Sequence, residues 1–151
     1  MVDVDAVETL ADWSAWVPLP EAVASAPMLP GVYMAREGTD GAVVYVGMAG
    51  ERRGRGVRGR LTIYSRGKGV VSGLGEAAMD RALADSEWLR ARVADVDAGK
   101  PERAAAWGRL ALERAKLHLR WAVTPDREEA LALESAVLSE LSSANLWNRR
   151  R

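Results

Sequence analysis

Alternation of apolar and polar positions is the clearest pattern in the chain. In "LPGVYMAR" (29–36) Val32 and Met34 fall on one side of an extended backbone, and Tyr33 and Ala35 on the other. That period of two predicts a half-buried strand. "EGTDG" (37–41) is a turn cluster and "AVVYVG" (42–47) is β-branched and apolar, so the two runs predict an antiparallel hairpin. By parity Tyr45 shares a face with Val43 and Gly47, and a suitable register puts the Tyr33 and Tyr45 hydroxyls on one side. In "LHLRWAV" (117–123) Leu117, Leu119, Trp121 and Val123 alternate with His118 and Arg120, predicting a further one-sided strand.

Helical spacing takes over elsewhere. Val57, Leu61 and Tyr64 recur at intervals of four and three in "VRGRLTIYSRG" (57–67), predicting a short helix with Arg60 beside its apolar stripe. From about Leu74 to Lys116 two helical stretches are expected, broken at "DAGKP" (97–101). "TPDREEALALESAVLSEL" (124–141) opens with Pro125 and acids in the first turn, with Asp126 and Glu129 at capping-box spacing, a strong helix start. Residues 6–26, with Trp13, Trp16 and Val17 among prolines and small residues, read as a short helical or irregular segment laying indoles on the body. The order predicts a small α/β (α+β) fold: a three-stranded antiparallel sheet flanked by helices. One domain over 1–151 is expected, with an N-terminal extension (1–28) and a helical insertion (about 69–116).

Composition narrows the chemistry. The chain has 151 residues, no cysteine and one histidine, which removes disulfides, thiolate nucleophiles and the usual structural zinc sites, and leaves oxygen ligands for any metal. His118 lies on the polar face of its predicted strand with no nucleophile beside it, a poor basis for Ser/His/Asp hydrolysis. The acidic start and the lack of any long apolar stretch predict a soluble, cytoplasmic protein with no membrane partner. Six tryptophans and no phenylalanine imply that most of the indoles serve the core.

Formal net charge is zero, yet residues 1–35 hold five acids and no Lys or Arg, and residues 52–68 hold seven basic residues and no acid. Such polarity describes either a polyanion-binding face or a solvated Arg/Gly loop. Arg52, Arg53, Arg55, Arg58, Arg66 and Lys68 are the candidate backbone-gripping residues, suited to salt-sensitive binding without sequence reading. The closing "NRRR" is either a second phosphate contact or a solvated terminus. "GMAGERRGRG" lacks the Gly-Lys-Ser/Thr ending of a P-loop.

One residue contradicts its surroundings. Glu134 has Ala130 and Leu131 one turn before it and Val137 and Leu138 one turn after. A carboxylate in such a stripe is costly unless a cation, hydrogen-bond donors or a metal ion satisfies it. A structural salt bridge to an arginine, or a stripe-edge position reaching water, would also serve. Phosphodiester hydrolysis needs a divalent cation, a positive group at the scissile phosphate and a group that positions water. The tyrosines, the arginine-rich segment and Glu134 supply that inventory, since one protein carboxylate with phosphate oxygens and waters suffices for Mg²⁺.

These residues together resemble the GIY-YIG nucleases, the family whose domain opens the excinuclease C subunit of bacterial nucleotide excision repair. "GVY" (31–33) is similar to the first motif and "YVG" (45–47) to the second, with eleven residues between them. "RLTIY" resembles the helix motif, "EALALE" the motif ending in the metal-site glutamate, and "LWN" the terminal asparagine. The resemblance runs from about residue 30 to residue 148. It implies a DNA endonuclease using one Mg²⁺ or Mn²⁺, in repair, restriction, mobile-element or defence biology, and leaves RNA open as substrate. Tyr33 or Tyr45 would act as, or orient, the base for the attacking water. Arg60 would stabilise the pentavalent phosphate with Tyr64 assisting, Glu134 would hold the metal, and Asn148 would be a structural support. Three departures accompany it. The Gly47–Arg60 loop is longer than in that pattern, so Arg58 competes with Arg60; the 69–116 segment has no counterpart in minimal domains; and a longer spacing after Glu134 leaves Asn145 as an alternative to Asn148. The other class of function is a nucleic-acid-binding module that keeps this fold without cleaving.

Overall fold

The β-branched hairpin is the spine of the fold. In the computed structural model, which describes residues 4–149, strands β2 (Gly31–Glu37) and β3 (Val43–Ala49) pair antiparallel, and β4 (Leu117–Val123) lies antiparallel along the other side of β2. The sheet has four strands rather than three, because β1 (Val17–Pro18) pairs with Leu119 and His118 at the free edge of β4, giving the order β1-β4-β2-β3. A two-residue strand carries no periodicity to read. Its proline, lacking an N–H, suits an edge.

Helices cover both faces. On one side α2 (Leu19–Ser25), α3 (Gly56–Ser65), α4 (Gly73–Leu83) and α6 (Ala104–Ala115) enclose Tyr33, Ala35, Tyr45, Leu117 and Leu119. On the other, α1 (Val4–Glu8) and α7 (Arg127–Glu140) cover Val32, Met34 and Val46. The expected half-buried hairpin is therefore buried on both faces. A bulge changes its parity: Ala35 pairs with Tyr45 but Arg36 with Val43, leaving Val44 as the extra residue. Val44 thus joins Tyr45 in the first core layer and Val43 turns to the second, against the simple alternation that grouped Val43 with Tyr45.

The 69–116 segment forms three helices rather than two. The break at "DAGKP" is present, and a further one at Ala84–Asp85 separates α4 from α5 (Ser86–Asp97). There Asp85 accepts hydrogen bonds from the Glu87 and Trp88 N–H groups, a side-chain cap that starts the new helix. Leu74 and Ala78 of α4 and Leu112 and Ala115 of α6 belong to the main core, whereas α5 buries no residue. Asp126 caps α7 by accepting from the Glu129 N–H at 2.8 Å, as its spacing predicts. No helix among the described residues is long and apolar enough to cross a membrane.

Arg120 departs furthest from its predicted place on a polar face, with a relative exposure of 6%. The N-terminal segment covers it. Its guanidinium pairs with Glu8 at 2.5 Å and lies 4.9 Å from the ring centres of both Trp13 and Trp16, while Arg36 stacks on Trp16 at 4.4 Å. The tryptophans are all half-buried, Trp13, Trp16, Trp121 and Trp147 against the core layers and Trp88 and Trp107 edge-on to each other, and four of the six carry a guanidinium on a ring face. Removing Glu8 strands a buried cation, so Glu8→Ala is expected to cost about 2–3 kcal/mol and Arg120→Met about 1 kcal/mol or less. Denaturant melts in which Glu8→Ala proved the milder change would contradict this.

Candidate functional site

The hairpin register brings the two tyrosines together. Tyr33 stands opposite Gly47, and its ring crosses that glycine so closely that a Cβ at Gly47 would overlap the Tyr33 hydroxyl. The glycine of the second triplet therefore makes room for the tyrosine of the first. Tyr45, one pair further along on the same face, stacks on Tyr33 with ring centres 6.3 Å apart and planes 26° apart. From α3, Tyr64 meets Tyr33 edge-on at 6.4 Å, and the two hydroxyls hydrogen-bond at 3.2 Å. Arg60, one turn before Tyr64, lies with its guanidinium 4.9 Å from the Tyr64 ring centre.

Burial controls the ionisation of this cluster. It pushes the Tyr33 hydroxyl well above the ordinary tyrosine range, and Tyr64 and Tyr45 push it further while Arg60 opposes them. Burial, then Tyr64, raises Tyr45 in the same way; Arg60 pulls against that rise and Glu134 adds to it. Both hydroxyls are therefore protonated at neutral pH; Tyr33 is fully buried against Tyr64, and Tyr45 alone of the two lines the cavity that Glu134 also borders. Burial also raises the Glu134 carboxyl. Glu134 forms no ion pair among the described residues, so the salt bridge to an arginine that would have given it a structural role is not found.

Tyr45, Gly73, Glu76, Asp80, Glu134 and Asn148 line a common cavity of about 1320 Å³. Asn148 holds its wall. Its Oδ1 accepts from the Val46 N–H at 3.1 Å and its Nδ2 donates to the Val46 carbonyl at 2.7 Å, while the Trp147 N–H donates to the Val44 carbonyl at 2.6 Å. The C-terminal segment is thereby pinned to the free edge of β3. Both ends of the Asn148 amide thus bind the β3 backbone, whereas Asn145 is exposed. Among the described residues no group of three or more His, Cys, Asp or Glu could hold a metal ion. A cation in the cavity would meet the half-buried carboxylate of Glu134, with those of Glu76 and Asp80 lining the same cavity.

The basic segment faces elsewhere on α3. Arg52, Arg53, Arg55 and Arg66 line a shallow, solvent-facing cavity of about 340 Å³ with Gly59, Thr62 and Ile63. They and Lys68 are exposed and form no ion pair among the described residues. Arg52 and Arg53 hold left-handed backbone, φ 47° and 56°, a strained geometry for non-glycine residues. Arg58 differs from its neighbours: it is half-buried, its Nε donating to the Ala26 carbonyl at 2.7 Å and its N–H to the Pro27 carbonyl. It ties α3 to the end of α2, so of the two candidate arginines only Arg60 lies against the tyrosines. Arg149 of the closing basic run pairs with Glu76 at 2.6 Å; Arg150 and Arg151 lie outside the described residues.

His118 is half-buried, its Nδ1 enclosed with no hydrogen-bond partner among the described residues. It borders a separate apolar cavity of about 580 Å³ walled by Leu19, Val23, Leu112 and Leu117, which includes none of the clustered residues. Sequence reasoning missed the contribution of α4. The Leu74 N–H donates to the Tyr64 hydroxyl at 3.2 Å, a contact between segments that no local pattern signals. Compared with known proteins, the chain matches no family model, no curated protein and no solved structure.

Proposed function

We propose that this chain is a metal-dependent endonuclease of the GIY-YIG type that hydrolyses phosphodiester bonds in DNA. The observation that carries the reading is the convergence of Tyr33, Tyr45, Tyr64 and Arg60 on one sheet face, with Tyr45 continuing into the cavity lined by Glu134. Hydrolysis requires a water oxygen to bond to phosphorus while the bond to one deoxyribose-side oxygen breaks, the proton lost by the water passing to solvent and the leaving oxygen taking one up from it. The protonated Tyr45 hydroxyl positions the water, Tyr33 stacks behind it and fixes its ring, and Arg60 offsets the charge that grows on the phosphoryl oxygens. Glu134 would hold one Mg²⁺ or Mn²⁺, which when bound supplies Lewis-acid polarisation of the phosphoryl group. The exposed arginines of the turn before α3, with Arg66 at its C-cap, would grip the backbone.

The test is incubation with supercoiled plasmid and with branched DNA in Mn²⁺ or in EDTA. Nicking in Mn²⁺ alone is expected. Binding without cleavage on every substrate would instead favour a non-cleaving module on the same fold. Arg53→Ala should weaken binding to all sequences alike and reduce the salt slope of log K by about one. Affinity that did not respond to salt would remove the basic face from the proposal.

A further inference from the structure

Three glycines surround Tyr64 where the chain enters α4. A Cβ at Gly69 would lie 2.7 Å from the Tyr64 ring, one at Gly75 would lie 3.2 Å from it, and one at Gly73 would overlap its hydroxyl. Gly73 does more than the other two. The same Cβ would lie 3.0 Å from both Arg60 Nη2 and the Tyr45 hydroxyl. Three side chains, from β3 and two positions of α3, thus converge on one α-carbon. Gly73 also has φ +53°, and the next N–H, that of Leu74, donates to the Tyr64 hydroxyl. Ser72, the N-cap, makes no side-chain bond to this turn. The first turn of α4 is therefore held by the tyrosine cluster rather than by its own cap.

We propose that Gly73 is a positioning residue of the site. Carrying no side chain, it lets the α4 backbone press the Tyr64 hydroxyl, the Arg60 guanidinium and the Tyr45 hydroxyl into one cluster, so that α4 is a working part of the phosphodiester site and not an appended helix. A methyl group there would displace the arginine tip and two hydroxyls together, and displacements of about 1 Å at reacting groups cost on the order of 100-fold in rate. This inference rests on the nuclease reading.

Gly99 provides the control. It has the same left-handed backbone, φ +75°, with no atom within 4 Å of an added Cβ, so Gly99→Ala measures backbone strain alone. Gly73→Ala is expected to lower kcat for plasmid nicking by about 100-fold with KM unchanged, the arginine face being untouched, while Gly99→Ala retains the wild-type kcat. Thermal melts supply a readout independent of cleavage. Because the added methyl collides with the Tyr64 hydroxyl, Gly73→Ala should lower Tm less in a Tyr64→Phe background than in the wild type, a coupling expected only of groups in contact. That background also keeps the comparison possible if Gly73→Ala alone does not fold. A wild-type kcat in Gly73→Ala, or equal Tm losses in the two backgrounds, would overturn the positioning role and leave the nuclease reading standing. A wild-type chain inert on every substrate would remove the nuclease reading and this inference with it.

Discussion

Glu134→Gln is expected to abolish divalent-dependent cleavage, a loss on the order of 100-fold or more, and at the same time to raise the melting temperature at neutral pH. Burial holds the Glu134 carboxyl above the ordinary glutamate range, so over part of the acid range the folded chain binds a proton that the unfolded chain has lost. Stability then falls as pH rises from the unfolded to the folded pKa of this group, and the deprotonated side chain remains a net cost at pH 7. Glutamine removes that cost. The advantage should vanish below about pH 4, where glutamate is neutral in both states. Opposite signs for activity and stability are the mark of a group kept for chemistry. A Gln variant that melted lower than the wild type at pH 7 would show Glu134 to be a structural partner, and the metal assignment would fall.

The second large effect is expected at Arg60. Arg60→Ala should lower kcat by about 10²–10³-fold, the usual consequence of removing one positioned donor from a developing oxyanion. Binding should change little, because the solvent-facing patch of Arg52, Arg53, Arg55 and Arg66 is unaltered. Arg53→Ala predicts the reverse split, weaker binding with the chemical step intact. Arg60→Lys should not rescue, since an ammonium has neither the planar fork nor the ring-stacking face that rests on Tyr64. Stability should fall by only about 0.5–1 kcal/mol, the scale of one cation–π contact. Steady-state kcat and KM with plasmid, measured beside filter-binding affinities at two salt concentrations, separate these outcomes. An Arg60→Lys enzyme with wild-type kcat would reduce this residue to a generic positive charge.

The separation between the proposed gripping and reacting residues follows from α3 and its two ends. Positions 57, 61 and 64 face the core, Arg60 flanks that stripe against the tyrosines, and 62, 63 and 66 turn outward with Arg52, Arg53 and Arg55. Under the proposed function, α3 and its two ends would serve both roles on different sides. Arg58, spent on the Ala26 carbonyl, belongs to neither.

Much was legible without coordinates wherever the information is local. The limits of β4, the cap at Asp126 and the helix carrying Val57, Leu61 and Tyr64 each follow from a period or a side chain acting within a few residues, and the structure has them as read. Along one helical turn Glu134 stands out from its apolar neighbours, and the structure sets it half-buried beside a cavity that Glu76, Asp80 and Arg81 also line. Tertiary packing decided the rest. Whether Arg120 faces water depended on Trp13, Trp16 and Glu8 folding over it from more than a hundred residues away. Which side Val43 takes depended on a bulge that strand alternation cannot encode. That α4 reaches Tyr64 and Arg60 depended on three glycines whose value lies in what approaches them. The sequence alone determined the elements and the chemical inventory, because propensity, period and capping act over one or two turns. Only the tertiary structure decided which of those groups meet, because burial and close approach are properties of distant segments in contact.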